Sequence, residues 1–132
     1  VPRFVGGAGA TADCVTDSLT GLMWTRNANL PAAVQTWQLA LDHANNLNLC
    51  GFSDWRLPNR KELRSLIDYS LANNAATLNT QGFNNVQADY YWSSSSYAGS
   101  AGYAWIVDLV GGYVSAGIKS DIYYVWPVRA GQ

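Results

Sequence analysis

The 132-residue chain is poor in the residues that carry most enzyme chemistry. It holds one histidine, His43, which leaves no histidine set for a zinc cluster, and no Ser-His-Asp grouping is visible. Charge is scarce, with eight basic against nine acidic residues and a net charge of −1. That balance argues against a nucleic-acid partner, which is usually met by a basic face. It also weakens the case for a heparin-type ligand, which needs clustered Lys and Arg. No apolar run is long enough to span a bilayer, so direct membrane insertion is not expected. No signal peptide is visible, but the first residue is not Met, so that absence carries no information. There are only two cysteines, Cys14 and Cys50. An isolated pair in a small, Trp-rich, weakly charged chain fits one disulfide and an exported setting. Two buried free thiols in a reducing compartment are the alternative.

What is abundant is aromatic and small: six Trp, eight Tyr and twelve Gly. This suits a loop-rich domain held by aromatic packing, and Tyr, Ser and Gly are also what adaptable binding surfaces use. The length fits one domain with one core. We divide it into an arm or linker over residues 1–12 and a single domain over residues 13–132.

The densest stretch runs from Cys50 to Leu63. Asn59 is placed to cap a helix, and Glu62, three residues on, to close a capping box. Leu63, Leu66 and Ile67 then share one helical face, with the helix continuing to about Ser70. Before the cap, Asp54 and Arg56 flank Trp55, so an ion pair between them would frame a buried indole, and Pro58 stiffens the approach. We take Asp54, Trp55, Arg56, Pro58, Asn59 and Glu62 as a structural hub. Arg60, Lys61 and Arg64 could form a small basic face, for which a solvated surface is the simpler account.

Elsewhere, Cys14 to Thr16 and Leu22 to Trp24 are expected as strands joined by the turn at residues 17–21. Thr36 should cap a helix whose face carries Trp37, Ala40, Leu41 and Ala44, ending near Asn45 and Asn46. His43 lies out of phase with that face, so an exposed, non-catalytic histidine is expected. Residues 72–89 show little periodicity and are expected as a long surface loop plugged by Phe83. Strands follow at Tyr91 to Ser93 and Tyr103 to Leu109. Gly111-Gly112 then turns into Tyr113 to Ser115, and a last strand runs from Tyr123 to Arg129. The expected class is α+β, two helices packed on a small twisted antiparallel sheet. Trp24, Trp37, Trp55, Trp92 and Trp126 are the expected core.

Asp54-Trp55-Arg56-Leu57-Pro58-Asn59, with Lys61-Glu62-Leu63 after it, resembles the signature of the Lcl C-terminal domain family, found at the ends of collagen-like adhesins. Thr20-Gly21-Leu22-Met23-Trp24, Tyr91-Trp92-Ser93-Ser94 and Val125-Trp126-Pro127-Val128-Arg129 agree in order and spacing, from about Asp13 to Arg129. The resemblance implies a C-type-lectin-like fold, related to formylglycine-generating enzymes and to the variable proteins of diversity-generating retroelements. It also favours the Cys14–Cys50 bridge. Fold is carried by such a resemblance more securely than function.

The oxidation performed by formylglycine-generating enzymes uses a cysteine pair near the C-terminal end of the fold. No cysteine follows Cys50, so neither catalytic residues nor a cofactor is carried over. The Glu-Pro-Asn and Trp-Asn-Asp runs by which lectins hold calcium are also missing. Asp89, Asp108 and Asp121 are scattered carboxylates, for which solvation or turn-capping is the simpler account, and no metal site is assigned.

Residues 95–124 mix Tyr, Ser, Ala, Gly, Asp, Ile and Val. Trp105 and Lys119 alone fall outside the set reachable from an Asn codon by changing its adenines, the substitution pattern of retroelement diversification. The candidate ligand-binding residues are Ser96, Tyr97, Ser100, Tyr103, Asp108, Tyr113, Ser115, Ser120, Asp121, Tyr123 and Tyr124. Ordinary strand-and-loop composition is the competing account. The expected role is non-enzymatic recognition of a protein or glycan on another cell or surface, by an exported domain displayed on a cell or virion. The two versions are a diversified display domain and a fixed adhesin tip binding host or matrix glycans. Several relatives assemble as trimers, which leaves an oligomer open, but no heptad pattern sets an oligomeric state.

Overall fold

In the computed structural model, which describes residues 2–131, the chain forms two antiparallel sheets and three short helices. Strands β1 (Phe4–Gly6), β2 (Cys14–Asp17) and β3 (Leu22–Thr25) form consecutive antiparallel pairs. The β2–β3 turn is closed by Asp17. Its carboxylate accepts from the Leu19 amide at 3.0 Å and the Thr20 hydroxyl at 2.9 Å, and Gly21 supplies φ of 77°. Phe4–Gly6 was expected within an arm; it is extended, but it is laid down as the edge strand of this sheet. The Arg3 guanidinium makes a bidentate pair with the buried Asp17 and donates to the Ser65 carbonyl, which holds it there.

Helix α1 (Trp37–Asn45) starts after Thr36 as expected, with Ala40 and Ala44 fully buried. The Thr36 side chain makes no capping bond. His43 is half-buried rather than exposed, and burial pushes its imidazole pKa down. In helix α2 (Arg60–Arg64) both halves of the Asn59–Glu62 capping box form. This helix is shorter than its apolar spacing implies. Beyond Leu63, i→i−3 bonds from Leu66 and Ile67 tighten the chain, and the buried Asn74 amide then captures the Asp68 backbone. Residues 72–89 are not simply a surface loop. They contain helix α3 (Asn74–Leu78), capped by Asn73, and they bury Asn74, Ala75, Leu78 and Val86 as well as the expected Phe83. A five-residue helix has no stability of its own, so it exists only as packed and leaves almost no periodic trace.

The second sheet is the meander β4 (Tyr90–Ser96), β5 (Tyr103–Asp108) and β6 (Val114–Ile118). The segment expected as one last strand straddles both sheets. Tyr124 pairs with β4 at Tyr90 and Trp92, and only β7 (Val128–Ala130) reaches the first sheet, beside β3. Pro127 lies between them and has no amide to continue a ladder. The strands therefore divide between two sheets instead of forming one.

Where the crossing segment passes between the sheets, Trp126 is fully buried and donates to the Thr25 carbonyl at 3.0 Å. Trp24, Phe83 and Tyr91 surround it with ring centroids 5.1–5.8 Å away. A second apolar cluster joins Trp92, Ala104, Ile106 and Val125 to Ala40 and Ala44 of α1. Trp24, Trp55, Trp92 and Trp126 are core as expected, whereas Trp37 is only partly buried.

The ion pairs of the hub differ from the expected one. Asp54 takes Arg129 at 2.6 Å, and Arg56 takes Glu62 with two bonds of 2.7 Å. Asp54 and Arg56, two apart on the chain, do not pair with each other; each takes a partner that the fold brings to it. Trp55 is buried and donates to the Leu49 carbonyl. Cys50 and Gly51 both have positive φ, 57° and 79°, in a two-residue turn closed by Leu49 and Phe52. Cys50 is joined to Cys14 in a disulfide that closes a 36-residue separation.

Two stability effects follow. Reduction of the bridge, or its replacement by Ala at both positions, should cost about 3–4 kcal/mol from loop-closure entropy, read as an earlier denaturant midpoint. Burial raises the Asp17 pKa, but bonds from Arg3, Thr20 and the Leu19 amide together with the Arg3 charge outweigh it, so the net value lies below the ordinary 3.8. Its stabilisation is therefore complete above that pH and is lost as pH falls below it. Asp17→Asn should destabilise by roughly 2–4 kcal/mol at neutral pH and flatten the acid limb of the stability curve. An unchanged acid limb would refute that assignment.

Candidate ligand-binding face

The end of the second sheet formed by the β4–β5 loop and the C-terminus of β6 gathers aromatic rings and unpaired cations. The loop is short and internally bonded. Tyr97 donates to the Tyr103 carbonyl, Ser100 to Tyr97 and Tyr103 to Ser100, at 3.0–3.2 Å. The Tyr97 ring lies over Gly99, where any Cβ would come within 2.5 Å of it, so only glycine permits this position. From there it meets Trp105 edge-on at 5.0 Å and Tyr103 at 6.3 Å. Tyr97, Tyr103 and Trp105 are each partly exposed, and the Tyr97 ring joins the other two edge-on into one aromatic cluster.

Two cations lie at this end of the sheet. The Arg60 guanidinium sits 4.7 Å from the centre of the Trp105 ring, and the Lys119 ammonium lies 4.0 Å from that of Trp37 while donating to the Ser96 hydroxyl. Among the described residues neither cation is paired with a carboxylate, so both keep donors for an incoming group. Arg60 is delivered by the hub. The Asn59 cap starts α2, the Arg60 amide donates to Ser95 Oγ, and the Ser94 amide donates to the Pro58 carbonyl, which fastens the helix start to β4. Trp37 is fastened in turn by donating to the Ser93 carbonyl at 2.9 Å.

The structure brings Ser96, Tyr97, Ser100, Tyr103, Ser120 and Asp121 to this end. Lys119 is bonded to Gly102 across the sheet, and Ser120 and Asp121 follow it, exposed. The remaining candidates lie elsewhere. Asp108 accepts from the Val110 and Gly111 amides and caps the β5–β6 turn at the opposite end, where Tyr113 is exposed. Ser115 is exposed on β6. Tyr123 packs edge-on against Trp92 at 4.9 Å and covers Gly117; burial is the main cause raising its pKa. Tyr124 stacks on the buried Tyr91 at 5.6 Å.

Sequence reasoning missed Arg60 and Trp37 and set Trp105 and Lys119 aside. The signal for the last two was present, since they are the only residues of the stretch outside the adenine-derived set. Arg60 and Trp37 meet the face only through tertiary docking and left no local trace. No group of three or more His, Cys, Asp or Glu comes together among the described residues.

Gly99→Ala should displace the Tyr97 ring and shift the Trp105 fluorescence. Thermal stability should change by less than about 1 kcal/mol, because the loop is exposed. An unshifted spectrum would show that the ring does not rest where described.

No curated protein matches the chain. The model of the Lcl C-terminal domain matches residues 13–129, which include the hub, both sheets from β2 onward and the whole aromatic end; the chain belongs to the Lcl C-terminal domain family.

Proposed function

We propose that this domain is a non-enzymatic recognition module that binds a carbohydrate-bearing ligand at the aromatic end of its second sheet. The observation that carries this reading is the cluster of Tyr97, Tyr103 and Trp105 with Arg60 over the Trp105 ring, and with Lys119 over Trp37 at the same end of the sheet. Exposed aromatic faces offer flat apolar area to the C–H face of a sugar ring at low entropic cost, while cations and hydroxyls beside them take its polar groups. Two cations on a chain of net charge −1 fit a ligand with isolated acidic groups better than a densely sulfated polymer. The disulfide fits an oxidising compartment outside the cytosol, and no helix of the described residues is long and apolar enough to cross a membrane. Display on a cell or virion surface belongs to this proposal, as does a C-type-lectin-like scaffold.

A second reading makes the same end a diversified display surface. The exposed Ser96, Tyr97, Ser100 and Tyr103 favour it, because they can change without touching the core. Asp108, Tyr123 and Tyr124 weigh against it, since each serves a turn or a packed ring cluster. The fixed face is therefore preferred.

A glycan panel screened with the wild-type domain and Trp105→Ala tests the proposal. Trp105→Ala should lose roughly tenfold or more in affinity with an unchanged unfolding transition. Binding that is absent, or unaffected by Trp105→Ala, would refute it. Sequencing codons 90–129 across many cells decides the second reading: mixed codons at adenine positions with a nearby template repeat would establish diversification.

A further inference from the structure

Among the described residues the two sheets have four edges, and three of them are covered or short. The outer edge of β7 is closed by Arg56, which exchanges two 2.9 Å backbone bonds with Val128. The outer edge of β4 is closed by Tyr124, whose carbonyl accepts from Trp92 and whose amide donates to Tyr90. Strand β1 is a three-residue edge. The edge of β6 has no such cover. The β5–β6 register pairs Ile106 with Ser115 and Ala104 with Gly117, and the flanking bonds Asp108 to Tyr113 and Lys119 to Gly102 set its phase. In that phase Ser115 and Gly117 bond inward to β5, while Val114 and Ala116 aim both backbone groups outward. Among the described residues nothing bonds those outward groups.

Nor does β6 carry the usual guards of a free edge. Its five residues, Val114-Ser115-Ala116-Gly117-Ile118, include no charge, no proline and no bulge. We infer that this edge pairs with β6 of a second copy of the chain, antiparallel, across a two-fold axis centred on Ser115. In that register Val114 of each copy lies opposite Ala116 of the other. The outward amides and carbonyls of both residues are then satisfied on both copies. The two Ser115 side chains meet as a close, non-hydrogen-bonded pair on one face. The arrangement is isologous, as a closed two-fold contact requires. A second copy suits this edge because every free group finds its complement in the same short uncharged sequence, and a net charge of −1 per copy opposes pairing only weakly. One edge buries far less than the roughly 1,200–2,000 Å² of a stable interface, so the association is weak and concentration-dependent.

The test uses three variants and the wild type. Ser115→Cys should form an intermolecular disulfide under mild oxidation and run at twice the 14.4 kDa of the chain, whereas Ala76→Cys on the exposed face of α3 should not. In sedimentation equilibrium the wild-type mass should rise toward that doubled value with concentration. Ala116→Pro removes an amide with no partner in the single copy, so it should remain folded by its unfolding transition and stay monomeric. The inference is overturned if the wild type stays monomeric throughout and Ser115→Cys cross-links no faster than Ala76→Cys. It is equally overturned if association persists in Ala116→Pro, or if the Val114 and Ala116 amides gain exchange protection only from an added extended peptide.

Discussion

Arg56 is the residue on which the arrangement of this protein turns. Its backbone exchanges two hydrogen bonds with Val128, which ties the hub to the strand that closes the first sheet. Its guanidinium grips both oxygens of Glu62, the residue that completes the cap of α2. Burial would raise the Glu62 pKa, yet the Arg56 bonds, the Asn59 amide and the Arg56 charge together bring it below its ordinary value, so the pair is ionised in the fold. One side chain thus fixes the start of a helix relative to a sheet. That helix start is also where Arg60 leaves the hub for the Trp105 ring, so the same interaction that orders the core sets the border of the binding face.

The division of labour between core and face follows from where the aromatic residues lie. Trp24, Trp92 and Trp126 are fully buried, and each such side chain contributes on the order of 2–3 kcal/mol through the apolar surface it removes from water. Trp105, Tyr97 and Tyr103 contribute less to stability because water still reaches them. Their orientation is nevertheless held, by backbone bonds within the β4–β5 loop and by the Ser93 hydroxyl, which donates to the Trp105 carbonyl at 2.7 Å. An ordered but solvent-reached aromatic surface loses little entropy when a ligand arrives, which is the physical advantage of building a site this way.

The segment from Tyr123 to Ala130 joins the two sheets, and it explains why the candidate residues scatter. Tyr123 and Tyr124 look like surface tyrosines in a stretch rich in Ser and Gly. Once the chain crosses from β4 to β3, however, their rings are directed against Gly117 and Tyr91. Asp108 is likewise drawn into a turn by the two amides after it. Composition locates a region capable of binding, but it does not say which residues the fold has already engaged.

The sequence alone determined those features that depend on a few neighbouring residues. The Asn59–Glu62 capping box, the hairpin at residues 17–21, the Phe83 plug and the α+β class were legible because caps, turns and alternation act over three to eight positions. The hub motif likewise pointed to the family. Tertiary structure decided the rest. Asp54 and Arg56 chose Arg129 and Glu62 over each other, Pro127 split the last strand between two sheets, and α3 formed only because Asn74 and Leu78 had a core to enter. Arg60 reached Trp105, and Lys119 reached Trp37, across separations that no local pattern encodes. Charge pairs and ring contacts depend on distance in space, and for residues far apart in the chain that distance is set only when the sheets and helices pack.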